Sequence, residues 1–245
     1  MSTSFRSLPV ASLQERYRSA EWRGAIFRDI LLHELTQFPE PTTLDIGCGH
    51  GFDADMDVQT VLGKASARYI GVEPDTEIPL NSLFTETHRC FFEDAAIEPH
   101  SVDLAFSCMV LEHLEHPQKF WDKLHEVLRP NGVFWGFTID ARSYFPYISL
   151  AFEKSGLKDA YLNALHGKRG EARYENYPVF YRSNSPRHVQ ALGKNFQSLS
   201  YINFTRVGQL DFYYPKPLQW IGRSIDRGLL LLDLPGNIFA VRAVK

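Results

Sequence analysis

The chain has 245 residues, with 26 Lys or Arg against 29 Asp or Glu, and therefore carries a formal net charge of −3. Hydrophobic residues make up 44% of the chain and aromatic residues 13%. This composition excludes a disordered chain and a strongly basic nucleic-acid coat protein, and the length suits one large domain. Three scattered cysteines do not form a disulfide framework.

Up to residue 140, the chain alternates between helical and strand patterns. Apolar residues at helical spacing predict a helix over residues 12–38, within an N-terminal helical cap of residues 1–39 that ends at two prolines. A second helix is predicted over residues 117–128, where a proline occupies the first turn. Short apolar runs predict strands at residues 42–46, 68–73, 89–92, 102–108 and 133–139. Near-continuous apolar strands between helices indicate a parallel sheet covered on both faces, here within a core of residues 40–140.

The alternation stops at residue 141. Residues 141–184 hold six of the eleven tyrosines and seven basic residues, which predicts a partly helical insertion. A helix follows, with Ser185 as its N-cap, so the whole insertion extends over residues 141–196. The C-terminal segment, residues 197–245, contains two strand candidates and a connecting segment, at residues 201–207, 237–244 and 219–234. For the connecting segment we favour a helix packed on the sheet over contact with a membrane or a partner.

The N-terminal residues and the apolar runs give an expectation for the compartment. Residues 1–10 lack the apolar stretch of a secretion signal, and the longest apolar run, residues 229–232, is far too short to span a bilayer. We therefore expect a cytoplasmic protein.

A glycine-rich loop is the strongest motif. The run Leu44-Asp-Ile-Gly-Cys-Gly-His-Gly51 follows a predicted strand, where glycines permit a sharp turn and backbone amides favour a negative group. Its G-x-G-x-G spacing differs from that of a dinucleotide site, and Asp45 would repel a pyrophosphate. Glu73, at the tip of the second strand, is placed to accept hydrogen bonds from ribose hydroxyls.

With these features the chain resembles the class I S-adenosylmethionine-dependent methyltransferases over about residues 40–140. LDIGCGHG looks like the first motif of that family, GVEPD like the second, and Glu93-Asp94-Ala95 like the third. VDLAFSCMVLEHLEHP resembles the fourth strand with its loop, and VLRPNGVFWGFT resembles the turn into the fifth strand. The resemblance implies a Rossmann-like sheet of seven strands, with the last strand antiparallel, and S-adenosylmethionine as the cofactor.

The same resemblance implies a role for each residue of the cofactor site. The glycines would form the floor under the methionine and ribose parts, Asp45 would orient the loop near the methionine ammonium group, and Glu73 would hold both ribose hydroxyls. Asp94 is preferred over Glu93 for the adenine amino group, and Arg23 is a candidate for the methionine carboxylate. The complete predicted set is Arg23, Asp45, Gly47, Cys48, Gly49, Gly51, Glu73, Pro74, Asp94, Ala95, Cys108 and Met109.

The polar segment after the fourth strand leaves three interpretations open. Glu112 or His113 would act as a catalytic base, because the loop after that strand faces the methyl group in this fold. Alternatively, His113 orients the loop through hydrogen bonds. A metal site is disfavoured, because Met109 stands where some relatives carry a further carboxylate.

The tyrosine-rich insertion is the predicted acceptor site, because it follows strand five on the ligand side of the sheet. Aromatic rings would stack on a planar or sugar-like acceptor, and basic groups would hold an anion. The candidate acceptor residues are Tyr144, Tyr177, Tyr181 and Arg182.

We therefore expect methyl transfer to a small-molecule or sugar-like acceptor, on oxygen or nitrogen, with no nucleic-acid partner and no metal. Three alternatives remain: methylation of a protein or an RNA, a nicotinamide-dependent oxidoreductase, and a cofactor-binding subunit without catalysis.

Overall fold

The computed structural model of the chain describes residues 9–51, 55–166 and 177–245. Within them a sheet of seven strands has the order β3-β2-β1-β4-β5-β7-β6. The strands are β1 (Thr42–Ile46), β2 (Arg68–Val72), β3 (Glu86–His88), β4 (Val102–Cys108), β5 (Leu128–Ile139), β6 (Ser198–Phe204) and β7 (Ile238–Val244). The first five pair in parallel, and β7 runs antiparallel to both of its neighbours, as the sequence predicts.

Helices cover both faces of this sheet. They are α1 (Val10–Arg18), α2 (Arg23–Leu35), α3 (Met56–Lys64), α4 (Pro117–Val127), α5 (Tyr144–Ser155), α6 (Lys158–His166), α7 (Pro186–Leu192) and α8 (Gln219–Leu231). Because side chains alternate across a strand, β5 contributes to a core on each face. Phe137 stacks on Phe27 of α2 at 4.1 Å between ring centroids, whereas Phe134 meets Trp121 of α4 edge to face at 5.7 Å.

The predicted helix over residues 12–38 is divided into α1 and α2. Ala20 adopts a left-handed φ of 64°, which ends α1. Arg16 then donates hydrogen bonds to Glu21 in the connection and to Asp29 in α2, at 2.8 and 2.7 Å. The apolar periodicity continues through the connection, so periodicity alone did not reveal the break.

Two strand predictions were displaced. The third strand is Glu86–His88, and the predicted segment, residues 89–92, instead leads into a 3₁₀ turn at Phe92–Asp94. Phe92 is buried against Phe120 of α4, so its apolar character serves the core under the loop rather than a strand. The sixth strand is Ser198–Phe204 and not residues 201–207, which shifts it by three residues.

The insertion is helical in part, as expected, and forms α5, α6 and an irregular segment from Tyr177 to Asn184. Four of its predicted aromatic and basic residues, Lys168, Arg169, Arg173 and Tyr174, lie outside the described residues. Ser185 caps α7 by accepting a hydrogen bond from the amide of His188, as predicted. Among the described residues, no helix is both long and apolar enough to cross a membrane.

The helix of the connecting segment, α8, is not packed on the sheet as favoured from the sequence. It rests on the preceding segment, residues 208–218. Its Gln219 side chain donates to the carbonyl of Asp211, and Gly222 lies against the ring of Tyr214. The buried residues of α8 are Gly222 and Asp226, and Leu229 and Leu230 are half-buried, whereas Trp220, Ile221, Ile225 and Leu231 are exposed.

Candidate active site

The glycine-rich loop joins β1 to α3 at the carboxyl edge of the sheet. Gly47 and Gly51 have φ of 77° and 73°, a region that favours glycine. The amide of Gly49 donates to Oε2 of Glu73 at 2.9 Å, and a Cβ at Gly49 would lie 2.7 Å from the same oxygen. The close approach of this backbone to a carboxylate therefore requires glycine.

The carboxylate of Glu73 is fixed at the end of β2. Its Oε1 accepts from the amide of Asp75 at 2.9 Å, so both oxygens are held by backbone amides. Glu73 is buried but lines a large cavity, together with Pro74. A carboxylate has about four acceptor sites, which leaves about two for hydroxyl donors of a ligand.

Asp45, which the resemblance puts near the methionine ammonium group directly or through water, is not among the residues that line the cavity. Its Oδ2 accepts from Gln59 Nε2 at 3.0 Å and from the hydroxyl of Tyr69 at 2.9 Å, beneath the loop. Gln59 also donates to the carbonyl of Cys48 at 3.0 Å. Asp45 thus holds the loop from below, which is the loop-orienting part of the prediction.

Burial controls the protonation of this group. Desolvation raises the pKa of Asp45 to about 7, further helped by the charge of Glu73 and opposed by the hydrogen bonds from Gln59 and Tyr69. Burial likewise raises the pKa of the Cys48 thiol. The Cys48 side chain is buried beneath the loop near Gly71, and Cys48 is not among the residues that line the cavity.

The predicted adenine end of the cavity lies beyond β3. Asp94 and Glu93 both line the cavity, so the structure leaves both as candidates. Ala95 does not: its side chain is buried, and its amide already donates to the carbonyl of Phe92 at 3.2 Å. Phe91 lines the cavity with 67% of its surface exposed and was missed from the sequence, although an aromatic residue directly before the acidic pair was a usable signal.

The opposite end gathers the residues predicted near the methionine part. Cys108 and Met109 line the cavity after β4, and the amide of Met109 donates to the carbonyl of Phe137 at 2.8 Å. Arg23, the first residue of α2, also lines it, as does Arg206, which lies over the ring of Tyr17 at 4.8 Å. Arg206 follows β6 and had no sequence signal.

Glu112 and His113 both line the cavity in the 3₁₀ turn after β4. Glu112 is buried, and its Oε2 accepts from the hydroxyl of Thr138 at 2.6 Å. Thr138 in turn accepts from Nδ2 of Asn184 at 2.6 Å. This chain of bonds joins the ends of β4 and β5 to the insertion. Thr138 and Asn184 are 46 residues apart, and no sequence motif links them.

His113 makes the loop-orienting contact that the sequence left open. Its Nδ1 lies 2.7 Å from the carbonyl oxygen of Pro178. Since a carbonyl only accepts, Nδ1 carries the proton, and Nε2 is the acceptor in the neutral ring. Within the described ranges, no group of three or more His, Cys, Asp or Glu side chains is placed to hold a metal ion.

The cavity has a volume of about 1430 Å³, which exceeds the roughly 300–1,000 Å³ of a pocket for one small ligand. The insertion forms its second half, where Tyr144, Tyr177 and Tyr181 line it as predicted. The Tyr177 hydroxyl donates to Asp75 at 3.3 Å, so the insertion reaches over the end of β2. Burial raises the pKa of the Tyr181 hydroxyl, which therefore stays protonated.

Arg182 is placed outside this cavity, contrary to the prediction. Its guanidinium donates to the carbonyl of Glu115 at 2.7 Å and lies over the ring of Phe180. Tyr181, the residue before it, has a left-handed φ of 52°. The aromatic wall is instead completed by residues on the segment before α8, including Phe212, Tyr213 and Tyr214.

Comparison with known proteins finds similarity over the core of the chain. Residues 44–136 match the family model described as a methyltransferase domain. An uncharacterized methyltransferase of Mycobacteroides abscessus is 32% identical over 101 residues, which are 38% of this chain and 37% of that protein. A tRNA U34 carboxymethyltransferase of Cellvibrio japonicus is 26% identical over 122 residues, 46% of this chain and 37% of that protein. Both matches span little more than a third of the relatives.

The fold extends the likeness over nearly the whole chain. A SAM-dependent methyltransferase from Archaeoglobus fulgidus aligns with 96% of this chain and 99% of its own, with a TM-score of 0.51 at 11% identity. Residues 44–136 therefore match the methyltransferase domain family, and the chain has the fold of the S-adenosylmethionine-dependent methyltransferases. Over those residues the match bears out the family that the motifs predict.

Proposed function

We propose that this chain transfers a methyl group from S-adenosylmethionine to a small molecule held in the aromatic half of the cavity. The observation that carries the proposal is that one continuous cavity has two kinds of lining. It is lined on one side by the glycine loop with Glu73, and on the other by the tyrosines of the insertion.

The first half fits S-adenosylmethionine. The amide-held carboxylate of Glu73 suits two ribose hydroxyls, and Gly49 leaves no Cβ in their way. Phe91 offers an aromatic face for the adenine, beside Asp94 for its amino group. When bound, the cofactor supplies a sulfonium-activated methyl group, and the protein supplies binding and orientation.

The second half favours an acceptor with a planar or apolar body. Tyr144, Tyr181, Phe145 and Phe152 give it aromatic walls, and Ile148 adds an aliphatic surface. Such walls stack on a ring and exclude water from the reacting atoms. A sugar would require several convergent polar groups, whereas Phe145, Phe152 and Ile148 offer none. We therefore place a phenol, a heteroaromatic amine or a similar small molecule ahead of a sugar.

Glu112 is our candidate for the base that removes the acceptor proton. It lines the cavity, and the hydroxyl of Thr138 occupies Oε2, which leaves Oε1 for an acceptor hydroxyl or amine. Asn184 fixes Thr138 in that orientation. His113 is assigned a positioning role, because its bond to Pro178 attaches the turn to the insertion.

Glu112→Gln tests this assignment in an assay that measures release of S-adenosylhomocysteine with a panel of phenols, hydroxyquinolines and aromatic amines. Turnover of a phenol should fall by about 10²–10⁴, the usual contribution of general base catalysis, while the Kd for S-adenosylhomocysteine stays within about twofold. The glutamine keeps an acceptor oxygen for Thr138, so the loop remains in place.

Two results would contradict the proposal. Unchanged turnover in Glu112→Gln would remove the base assignment. Methylation of bulk tRNA or protein, with none of the panel accepted, would replace the small-molecule acceptor by a macromolecule.

A further inference from the structure

The outward face of α8 is apolar. Trp220 is 65% exposed and Leu231 85% exposed, with Ile221 and Ile225 also exposed between them. The inward positions are Gly222 and Asp226. A surface helix ordinarily buries its apolar side and exposes its polar side. In α8 the fully buried positions are a glycine and an aspartate, Leu229 and Leu230 are half-buried, and four large apolar side chains are exposed, so an apolar face is available to something outside the chain.

The inward side shows why the helix is stable in this orientation. Asp226 is fully buried, and its carboxylate accepts from the amide of Gly208 at 2.8 Å, from Gln209 at 2.9 Å and from the Tyr144 hydroxyl at 3.3 Å. The three donors offset the cost of burying this carboxylate and fix its position. The rotation of α8 about its axis is therefore fixed.

The charges on the helix have one sign at the surface. Arg223 and Arg227 are exposed, and the one acidic residue of α8, Asp226, faces inward. Arg223 forms a salt bridge with Asp211, which lies in the segment before α8. Arg227 makes no salt bridge with any described residue. An apolar face flanked by cations, with no exposed anion between Gln219 and Leu231, matches an anionic lipid surface.

The apolar surface is continuous with the proposed acceptor half of the cavity. Phe212, Tyr213 and Leu218 line the cavity and are themselves exposed, immediately before α8. On the other side of the cavity opening, Ile148 of α5 also lines the cavity and is exposed. A protein partner seated here would cover the rim of the cavity, whereas a bilayer would place the rim against a source of apolar molecules.

We propose that α8 docks on an anionic membrane surface, and that the acceptor is an amphiphile that enters the cavity from the lipid phase. The docking stands on the helix alone. The acceptor class rests on the proposed methyl transfer.

Vesicle binding tests the docking. The chain should co-sediment with vesicles of phosphatidylcholine and phosphatidylglycerol, less with phosphatidylcholine alone, and bromine-labelled lipid should quench its tryptophan fluorescence. Trp220→Glu should weaken vesicle binding at least tenfold and leave the Kd for S-adenosylhomocysteine unchanged. Val61→Glu is the matched control, since it places the same charge at an exposed apolar position of α3, and it should bind vesicles like the unmodified chain.

An acceptor pair tests the entry route. Dodecyl 4-hydroxybenzoate, carried in the same vesicles, should be methylated several-fold more slowly by Trp220→Glu, whereas soluble methyl 4-hydroxybenzoate should be methylated at the unmodified rate. Vesicle binding without methylation of either ester would support the docking and contradict both the phenol acceptor and its entry from the lipid phase.

Three outcomes would overturn the docking. These are no binding to any vesicle, binding that Trp220→Glu does not weaken, and self-association through α8 that the same variant abolishes. Self-association of this kind would mean that a second copy of this chain covers the apolar face of α8.

Discussion

At the scale of single residues, the site depends on a backbone that approaches a carboxylate so closely that no side chain fits between them. The backbone of Gly49 lies against the carboxylate of Glu73, with the amide 2.9 Å from Oε2. That one bond connects the loop after β1 to the end of β2. The sequence predicted both residues, but from their motif and not from this contact. The contact explains why the middle glycine of the loop cannot be replaced.

Gly49→Ala is therefore expected to weaken binding of S-adenosylhomocysteine by about 1–3 kcal/mol, the cost of disturbing a charge-assisted hydrogen bond. The new Cβ would stand 2.7 Å from Glu73 Oε2 and displace the carboxylate. Calorimetric titration measures the effect. Gly228→Ala is the control, because a Cβ there meets nothing within 4 Å. Equal affinities of the two variants would mean that Glu73 does not hold the ligand.

At the scale of elements, β1, β2 and α3 meet at one buried carboxylate. Asp45 on β1 accepts from Tyr69 on β2 and Gln59 on α3, and Gln59 returns to the loop at Cys48. The three elements are thereby fixed to one another under the cofactor loop. The folded protein holds the proton of Asp45 more tightly than the unfolded chain does, because burial raises its pKa to about 7.

Asp45→Asn should consequently change how stability depends on pH. Well below pH 3.8, Asp45 is protonated in the folded and unfolded states and its effect on stability does not vary. As pH rises towards 7, the unfolded chain loses this proton first, so the free energy of unfolding of the unmodified protein falls relative to the variant. The interval from pKa 3.8 to about 7 sets an upper bound of about 4 kcal/mol.

Urea unfolding of both proteins between pH 5 and pH 8 measures this difference. The asparagine retains an oxygen that accepts from Gln59 and Tyr69, so the connection between β1, β2 and α3 should persist. A constant difference in the free energy of unfolding across that range would show that Asp45 is already ionised in the folded protein at pH 5.

At the scale of the whole molecule, the cofactor half and the aromatic half of the cavity belong to different parts of the chain. The cofactor half comes from the carboxyl ends of β1, β2 and β4, which meet at one edge of the sheet. The aromatic half comes from α5, α6, residues 177–181 and residues 209–218. A ligand in the first half contacts strands that form the middle of the core, so its binding should stabilise the entire fold.

Saturating S-adenosylhomocysteine should accordingly raise the melting temperature. At about 100 times its Kd, a ligand that binds only the folded state adds about 2.7 kcal/mol. For a chain of this length that corresponds to roughly 5–10 °C. NADH at the same concentration should give no increase. An increase with NADH alone would revive the oxidoreductase interpretation, and no increase with either would contradict an intact cofactor site.

The sequence by itself determined most strands of the sheet and singled out the glycine loop and Glu73. Nearly continuous apolar runs such as Val102–Cys108 mark buried parallel strands, and the loop and Glu73 each stand out as a short motif. Short-range patterns of this kind are visible without coordinates.

The tertiary structure alone decided the rest. Only the fold brings Asn184 to Thr138 and Glu112, removes Arg182 from the cavity, places Asp45 beneath the loop and turns the apolar face of α8 outward. Each of these depends on contacts between segments distant in sequence. A helical pattern predicts that a helix has an apolar side and a polar side. Which side is buried depends on the segments that the helix packs against. In α8, the hydrogen bonds that Asp226 accepts from Gly208 and Gln209 hold its own side of the helix inward.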